Sequence, residues 1–402
     1  VTTALSIHAL AILSEHTSTS SYGGIAAAFF GPAFAAFVDF SVSLLLVGVI
    51  SGSIIVLRDY FAELCPSELC TTLSTAGTAL VVLLPLSLPR RIGVMAYASA
   101  ISITAFAFIV GVLVVFGAGR LANGTARAGV WTKPATALQL GECFRVIVYA
   151  TACQMQVPAV FAGAKPPRDD AGAASAVASV QAGSRRAPSA VARFVPVAAG
   201  AVTGMVVLFS LTAIFGVLAF GVPVKDNVLV TLKEQQPTMG GVAYLCLSAA
   251  VALACPLLVH PTRDGIISLI AELRARVGGR ARVQVDPPPL ALHVGITVGV
   301  IALSTTIALT FSEIMVLFGF LGAFALCPLA FLFPAACLLR LPWTPPAGAS
   351  SAELLAVAAA DGPPSSARAR PRGEAIAIAV WLLAVGLATI GITIASYATG
   401  SK

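Results

Sequence analysis

Nine stretches of this sequence run for roughly the thickness of a bilayer with almost no charge. They are Ala33–Leu57, Leu73–Leu88, Ile92–Phe116, Cys143–Ala162, Phe194–Phe220, Gly240–Val259, Leu290–Thr310, Ile314–Leu339 and Ala375–Tyr397. A helix needs about 20 apolar residues to cross hydrocarbon, and most of these stretches fit; Leu73–Leu88 is short and ends at Pro85 and Pro89. Charged side chains make up 10% of the residues and hydrophobic ones 58%, with a mean hydropathy of +0.95, whereas a soluble domain carries about 25% charged residues. Such a chain cannot cover a soluble surface, so membrane lipid must be part of its solvent. The pattern predicts an all-α polytopic membrane protein, multi-pass and integral.

The basic residues give it an orientation. Sixteen of the 24 Lys and Arg fall in one alternating set of loops: Arg90 and Arg91, then 165–193, 263–282 and 340–372. That richer set belongs in the cytoplasm, which leaves the C-terminus outside. Asn123-Gly124-Thr125 is a glycosylation sequon and falls in a loop assigned outside. The net charge of +7 is no sign of nucleic acid, because no basic stripe interleaved with aromatics accompanies it. Val1–Leu13 is apolar but too short to span, and lacks the basic start and small-residue cleavage site of a signal peptide. It reads as the tail of a helix whose beginning is missing. The loops 164–193, 260–289 and 340–374 are low in complexity and read as cytoplasmic segments of a single transmembrane domain over residues 1–402. The cysteines form no CxxC pair and no zinc-spaced cluster, so no metal or other cofactor is expected. Cys65 and Cys70 lie in a polar loop and could form a local disulfide if that loop faces outside, although their i,i+5 spacing is short.

Proline, glycine and amides interrupt the apolar runs at particular places. The segments PLLVHPTRDGII (256–267) and MVLFGFLGAFALCPLAFLFPA (315–335) carry prolines inside or at the end of a span. Breaks of this kind survive in lipid only where protein or a water-filled cavity satisfies the freed backbone. Tyr149–Pro158 adds Gln154 and Gln156, which are costly in lipid unless paired or facing a cavity. Pro158 there removes a backbone donor. Amides beside a weakened backbone suit a ligand; the plainer alternative is a kinked helix packed on its neighbours. Gly319 and Gly322 beside Phe318 serve either close helix packing or an aromatic gate at Phe318. Ser248 is the lone internal hydroxyl of its span besides Tyr244. Asp39 lies a short way into its helix, a candidate coupling or intramembrane polar group, or else a residue solvated or Arg-paired near the interface. Glu313 reads as a boundary residue and Arg145 as one that snorkels outward.

Enzyme chemistry finds little to use. The sequence has no GxSxG, HExxH or GxxxxGK[ST], and its four histidines are scattered without a carboxylate at catalytic spacing. Without a phosphate-binding loop, transport would be driven by a gradient.

The segments YGGIAAAFFGPAFAAFVD, PLSLPRRIGVMAYAS, YATACQMQVPAVF, FGVLAFGVPVKDNVL, CPLLVHPTRDGI and VLFGFLGAFALCPLAFLFPA occur in this order. Together they resemble the amino acid/auxin permease family of the amino acid–polyamine–organocation superfamily. The resemblance implies an inverted-repeat (LeuT-like) transporter fold, with unwound helices holding an amino acid near the midplane. The family's first helix has no counterpart here, so the expectation is an N-terminally truncated chain with nine full spans and a partial one. The sixth family helix matches Cys143–Ala162, which places its unwound part near Thr151–Gln156. The third, eighth and tenth match Ala33–Leu57, Gly240–Val259 and Ile314–Leu339. The implied substrate-binding set is Tyr149, Thr151, Cys153, Gln154, Gln156, Ser248, Phe318 and Gly319. Sodium-coupled members carry hydroxyls on the eighth helix near its proline; here Ala252 and Ala254 stand there, so proton coupling or facilitated exchange is expected. A cationic amino acid would want a carboxylate in the pocket, and Asp39 is only a distant candidate, so neutral substrates are favoured; the membrane is the plasma membrane or an acidic organelle membrane. A membrane amino acid sensor signalling through cytoplasmic partners is the alternative.

Overall fold

Apolar residues without interruption over 20 or more positions leave the backbone one way to satisfy itself in lipid, and the computed structural model adopts it. It describes residues 1–65, 67–89, 95–126, 143, 146–164, 190–221, 227–278, 289–311, 321–341 and 372–398, and among them every regular element is helical. Eight helices are long and apolar enough to cross a membrane: Pro32–Leu64, Glu68–Ser87, Tyr97–Ala122, Val146–Gly163, Ala190–Phe220, Pro237–Ala275, Leu290–Thr310 and Ala375–Ala395. Of the span expected at Ile314–Leu339, residues 312–320 lie outside the described residues, and the remainder is a shorter apolar helix, Phe324–Arg340.

The helices are numbered in chain order: α1 (Thr2–Thr17), α2 (Tyr22–Phe30), α3 (Pro32–Leu64), α4 (Glu68–Ser87), α5 (Met95–Ala122), α6 (Val146–Gly163, interrupted), α7 (Ala190–Phe220), α8 (Val228–Gln235), α9 (Pro237–Gly278), α10 (Leu290–Thr310), α11 (Phe324–Arg340) and α12 (Arg372–Ala398). Their exposed faces are apolar. Phe37, Phe40 and Leu44 of α3 and Val206, Val207 and Phe209 of α7 are all exposed, as lipid contact requires.

The first of two units comprises residues 1–35, 152–202 and 327–388. Helix α1 packs on α2, on the second half of α6 and on the end of α11. Ala11, Phe161 and Val191 form its small core, with Phe161 and Phe194 edge to face at 5.3 Å. Pro334 has no N–H to give to the carbonyl of Ala330 four residues back. The Ser6 hydroxyl donates to that carbonyl instead, which ties α1 to α11. The Arg340 guanidinium donates to the Phe29 carbonyl at 3.1 Å and lies 4.3 Å over the Phe30 ring. Ser21 caps α2 by accepting from the Gly24 N–H. Gly31 then takes φ 85, a value that favours glycine, and Pro32 opens α3.

The second unit comprises residues 36–151, 203–326 and 389–402. One core gathers Val47, Ile50 and Ile54 of α3, Leu83 of α4, Cys255 and Val259 of α9 and Ile301 of α10. Another joins Leu113 of α5, Phe220 of α7, Leu232 of α8 and Tyr244 of α9. Arg58 donates to the carbonyls of Ala308 at 2.7 Å and Phe311 at 2.9 Å, a cation satisfying the last carbonyls of α10. Lys233 pairs with Glu63. Cys65 and Cys70 are joined by a disulfide, the pairing their spacing allowed.

The loop expected from residue 260 starts later than the sequence suggested. Helix α9 runs unbroken through Pro256 and Pro261 to Gly278. The prolines remove backbone donors, yet the helix persists because its continuation is packed: His260, Thr262 and Arg263 are all buried. A Cβ on Gly265 would stand 2.6 Å from the Ser43 hydroxyl oxygen, so α9 and α3 meet closely there.

Candidate functional site

The sixth helix breaks where its glutamines lie. Residues 146–150 are helical and Thr151 turns, with its N–H still bonded to the Ile147 carbonyl. Ala152 and Cys153 leave the helix, Gln154–Gln156 form a single 3₁₀ turn, and helix resumes at Val157–Gly163. The carbonyl that Pro158 cannot reach is recaptured: Gln154 C=O accepts from the Val157 N–H in the tightened turn. The first bond of the new turn runs from Gln156 N–H to Cys153 C=O. The N–H groups of Cys153, Gln154 and Met155 therefore precede the new ladder, as at any helix start.

Side chains around the break belong to the first unit. The 3₁₀ turn packs on α1 and on Pro328–Leu332. Gln154 is 1% exposed and its Oε1 has no hydrogen-bond partner among the described residues. Ser14 of α1 and the Tyr22 hydroxyl of α2 are buried and unpartnered in the same sense. The Tyr22 ring meets that of Phe333 in a tilted pair with centroids 5.5 Å apart, and the thiols of Cys153 and Cys337 lie within electrostatic range of its hydroxyl. A buried polar atom without a partner costs roughly 1–3 kcal/mol, and the described residues of this unit carry three. Gln156 is half-buried and Cys153 exposed.

The remaining expected residues are placed as follows. Tyr149 and Thr151 lie in the second unit, on the helical side of the break. The Tyr149 ring covers Gly322, where a Cβ would sit 3.5 Å from its Cδ2. The Thr151 hydroxyl donates back to the carbonyls of Ile147 and Val148, at 3.0 and 3.2 Å. Ser248 is buried in α9, and its hydroxyl has no partner among the described residues. Asp39 is buried in α3, and its Oδ2 accepts from the Ser268 hydroxyl of α9 at 2.6 Å. Asn123 is exposed in the turn that ends α5. Phe318, Gly319, Glu313 and Arg145 lie outside the described residues. Ser14 and Tyr22 were not singled out in the sequence, although Tyr22 opens the first of the family-like segments. A polar cluster on α9 was also missed: Arg263 donates to the Ser87 carbonyl at 3.3 Å and to Thr297 Oγ1 at 3.4 Å, and lies 2.7 Å from His260 Nδ1. The Arg in PTRDG was its only signal.

A helical membrane protein with a broken span, and at the break a buried amide oxygen that has no partner among the described residues, has the build of a solute carrier. Comparison with known proteins narrows the class. The family model described as transmembrane amino acid transporter protein matches residues 1–182 and 176–358, and the chain belongs to that family. Over 142 residues the chain is 31% identical to the sodium-coupled neutral amino acid transporter 4 of Rattus norvegicus, and that match covers 35% of this chain and 24% of the relative. The proteins of the same name from Mus musculus and Homo sapiens are 30% and 29% identical, with the same coverage. The chain thus spans about a quarter of the length of these curated relatives.

Proposed function

We propose that the chain forms the core of a secondary transporter that carries neutral amino acids by alternating access. The observation that supports this most is the break at residues 151–156. The N–H groups of Cys153, Gln154 and Met155 precede the new helical ladder, and the buried Gln154 Oε1 has no donor among the described residues. A zwitterion answers both needs: its carboxylate accepts from N–H groups and its ammonium donates to an amide oxygen. On this reading Tyr149, Thr151, Cys153, Gln156, Ser248, Phe318 and Gly319 complete the substrate's surroundings. The whole then follows the inverted-repeat plan that the family resemblance implies.

Coupling is proposed to protons, or to none. Ala252 is buried and Ala254 stands two residues on, both before Pro256, and methyl groups cannot ligate a cation. The relatives are named sodium-coupled, so one experiment addresses substrate and ion together. Labelled amino acids are offered to transport-deficient cells expressing the protein, with sodium replaced by an inert cation and with external pH varied. Saturable uptake of a neutral amino acid that survives sodium removal is expected. Gln154→Ala should raise the half-saturating concentration about 10-fold or more, since a hydrogen bond to a charged group is worth about 1.5–3 kcal/mol. No uptake across all twenty amino acids would sink the transport reading; uptake abolished by sodium removal would sink the coupling alone.

A further inference from the structure

The polar cluster on α9 is not part of the break, and its hydrogen bonding is one-sided. A guanidinium can only donate, so the 2.7 Å contact from Arg263 Nη2 makes His260 Nδ1 the acceptor. The neutral imidazole must then carry its proton on Nε2. That Nε2 is buried and has no partner among the described residues, in a side chain 5% exposed. Arg263 is 3% exposed and also reaches the Ser87 carbonyl at the end of α4 and the Thr297 hydroxyl of α10. His293 of α10 contacts the next α4 carbonyl, that of Leu88, at 3.0 Å. One arginine thus pins three helices, and its hold rests partly on one unprotonated nitrogen.

We propose that His260 is a proton-binding site that couples protonation to the α4–α9–α10 joint, the proton carrier of the transport cycle inferred above. A proton arriving from water forms a new Nδ1–H bond. The ring then has no acceptor to offer Arg263, and a second positive charge stands beside the guanidinium. Arg263 must leave His260, and the α4 end loses a donor that was shared across the joint. The titratable or charged groups that act on His260 are Arg263 of its own helix and His293 of α10. Asp264 is exposed. Among the described residues, the end of α4 offers the cluster the carbonyls of Ser87 and Leu88. Asp39 of α3 is engaged with Ser268, about 12 Å further along α9 at 1.5 Å per residue.

His260→Gln is the informative variant, because a glutamine amide accepts from Arg263 and still donates, yet cannot titrate in this range. Hydrogen exchange of the peptide covering residues 84–89 is measured in the purified full chain at pH 7.5 and at pH 3.5, corrected for intrinsic rates. The wild type should exchange severalfold faster at the lower pH and H260Q should show no such difference. In cells, uptake by H260Q should lose its dependence on external pH while uptake itself persists. Equal protection at the two pH values in the wild type overturns the proposal, as does an undiminished pH response in H260Q. Should the variant not be recovered folded, wild-type exchange decides alone. The exchange readout needs no transport, so its failure is separable from failure of the transporter reading.

Discussion

Single residues in this protein are constrained mainly by what stands opposite them, and two glycines on one helix make the contrast measurable. A Cβ on Gly117 of α5 would lie 2.7 Å from the backbone carbonyl of Phe215, which has no flexible end to move aside; on Gly119 it would meet nothing within 4 Å. Gly117→Ala should therefore lower the thermal unfolding midpoint in detergent, by the equivalent of about 1–3 kcal/mol of overpacking. Gly119→Ala should leave it unchanged or raise it, because alanine is the better helix former by about 1 kcal/mol. Equal effects would mean that α5 and α7 do not meet this closely. The same scale shows what the sequence made legible. Gln154 stood out because an amide inside an apolar run needs a reason; it is buried, with its Oε1 lacking a partner among the described residues. Ser14 and Tyr22 did not stand out, because a hydroxyl is cheap in a helix and only long-range packing leaves it unpaired. Asp39 read as a coupling candidate, and its Ser268 bond lay beyond reach of local pattern, 229 residues away.

At the level of elements, periodicity and length located the helices well, and backbone arithmetic located the break. The error concerned where helix stops. Val259 read as the end of a span because His-Pro-Thr-Arg-Asp is polar and contains proline, a reasonable stop in isolation. Helix α9 instead continues to Gly278, so its 42 residues reach about 63 Å at 1.5 Å per residue, twice the hydrocarbon thickness. Tertiary packing against α3 overrides the local signal. That packing is tested by a cycle at the crossing. Gly265→Ala puts a methyl 2.6 Å from the Ser43 hydroxyl oxygen, whereas the Ser43 Cβ is 4.0 Å away. The single variant should be destabilised by about 1–3 kcal/mol, and adding Ser43→Ala should recover most of it. A strictly additive pair, with no interaction energy beyond about 0.5 kcal/mol, would show that the two helices do not touch at this point.

For the whole molecule, the decisive asymmetry is which loops face which solution, and three independent features converge on it. Basic residues crowd one set of loops. On the opposite set lie the exposed Asn123 of the sequon and the Cys65–Cys70 disulfide. A disulfide persists outside and is reduced inside, so its presence at the α3–α4 connection fits the outer assignment on grounds that charge counting does not use. With the basic loops in the cytoplasm, the joint of Arg263, His260 and His293 would lie on the cytoplasmic side, where α4 ends and α10 begins, and partway along α9. A membrane-impermeant maleimide offered to intact cells reads the orientation directly. Mild reduction should create new labelling that is absent from the Cys65→Ser, Cys70→Ser double variant, which controls for the exposed Cys143 and Cys153. The same double variant should lose about 2 kcal/mol of stability from the freed short loop. Labelling that requires permeabilised cells would turn the molecule over, and with it the side from which His260 receives its proton.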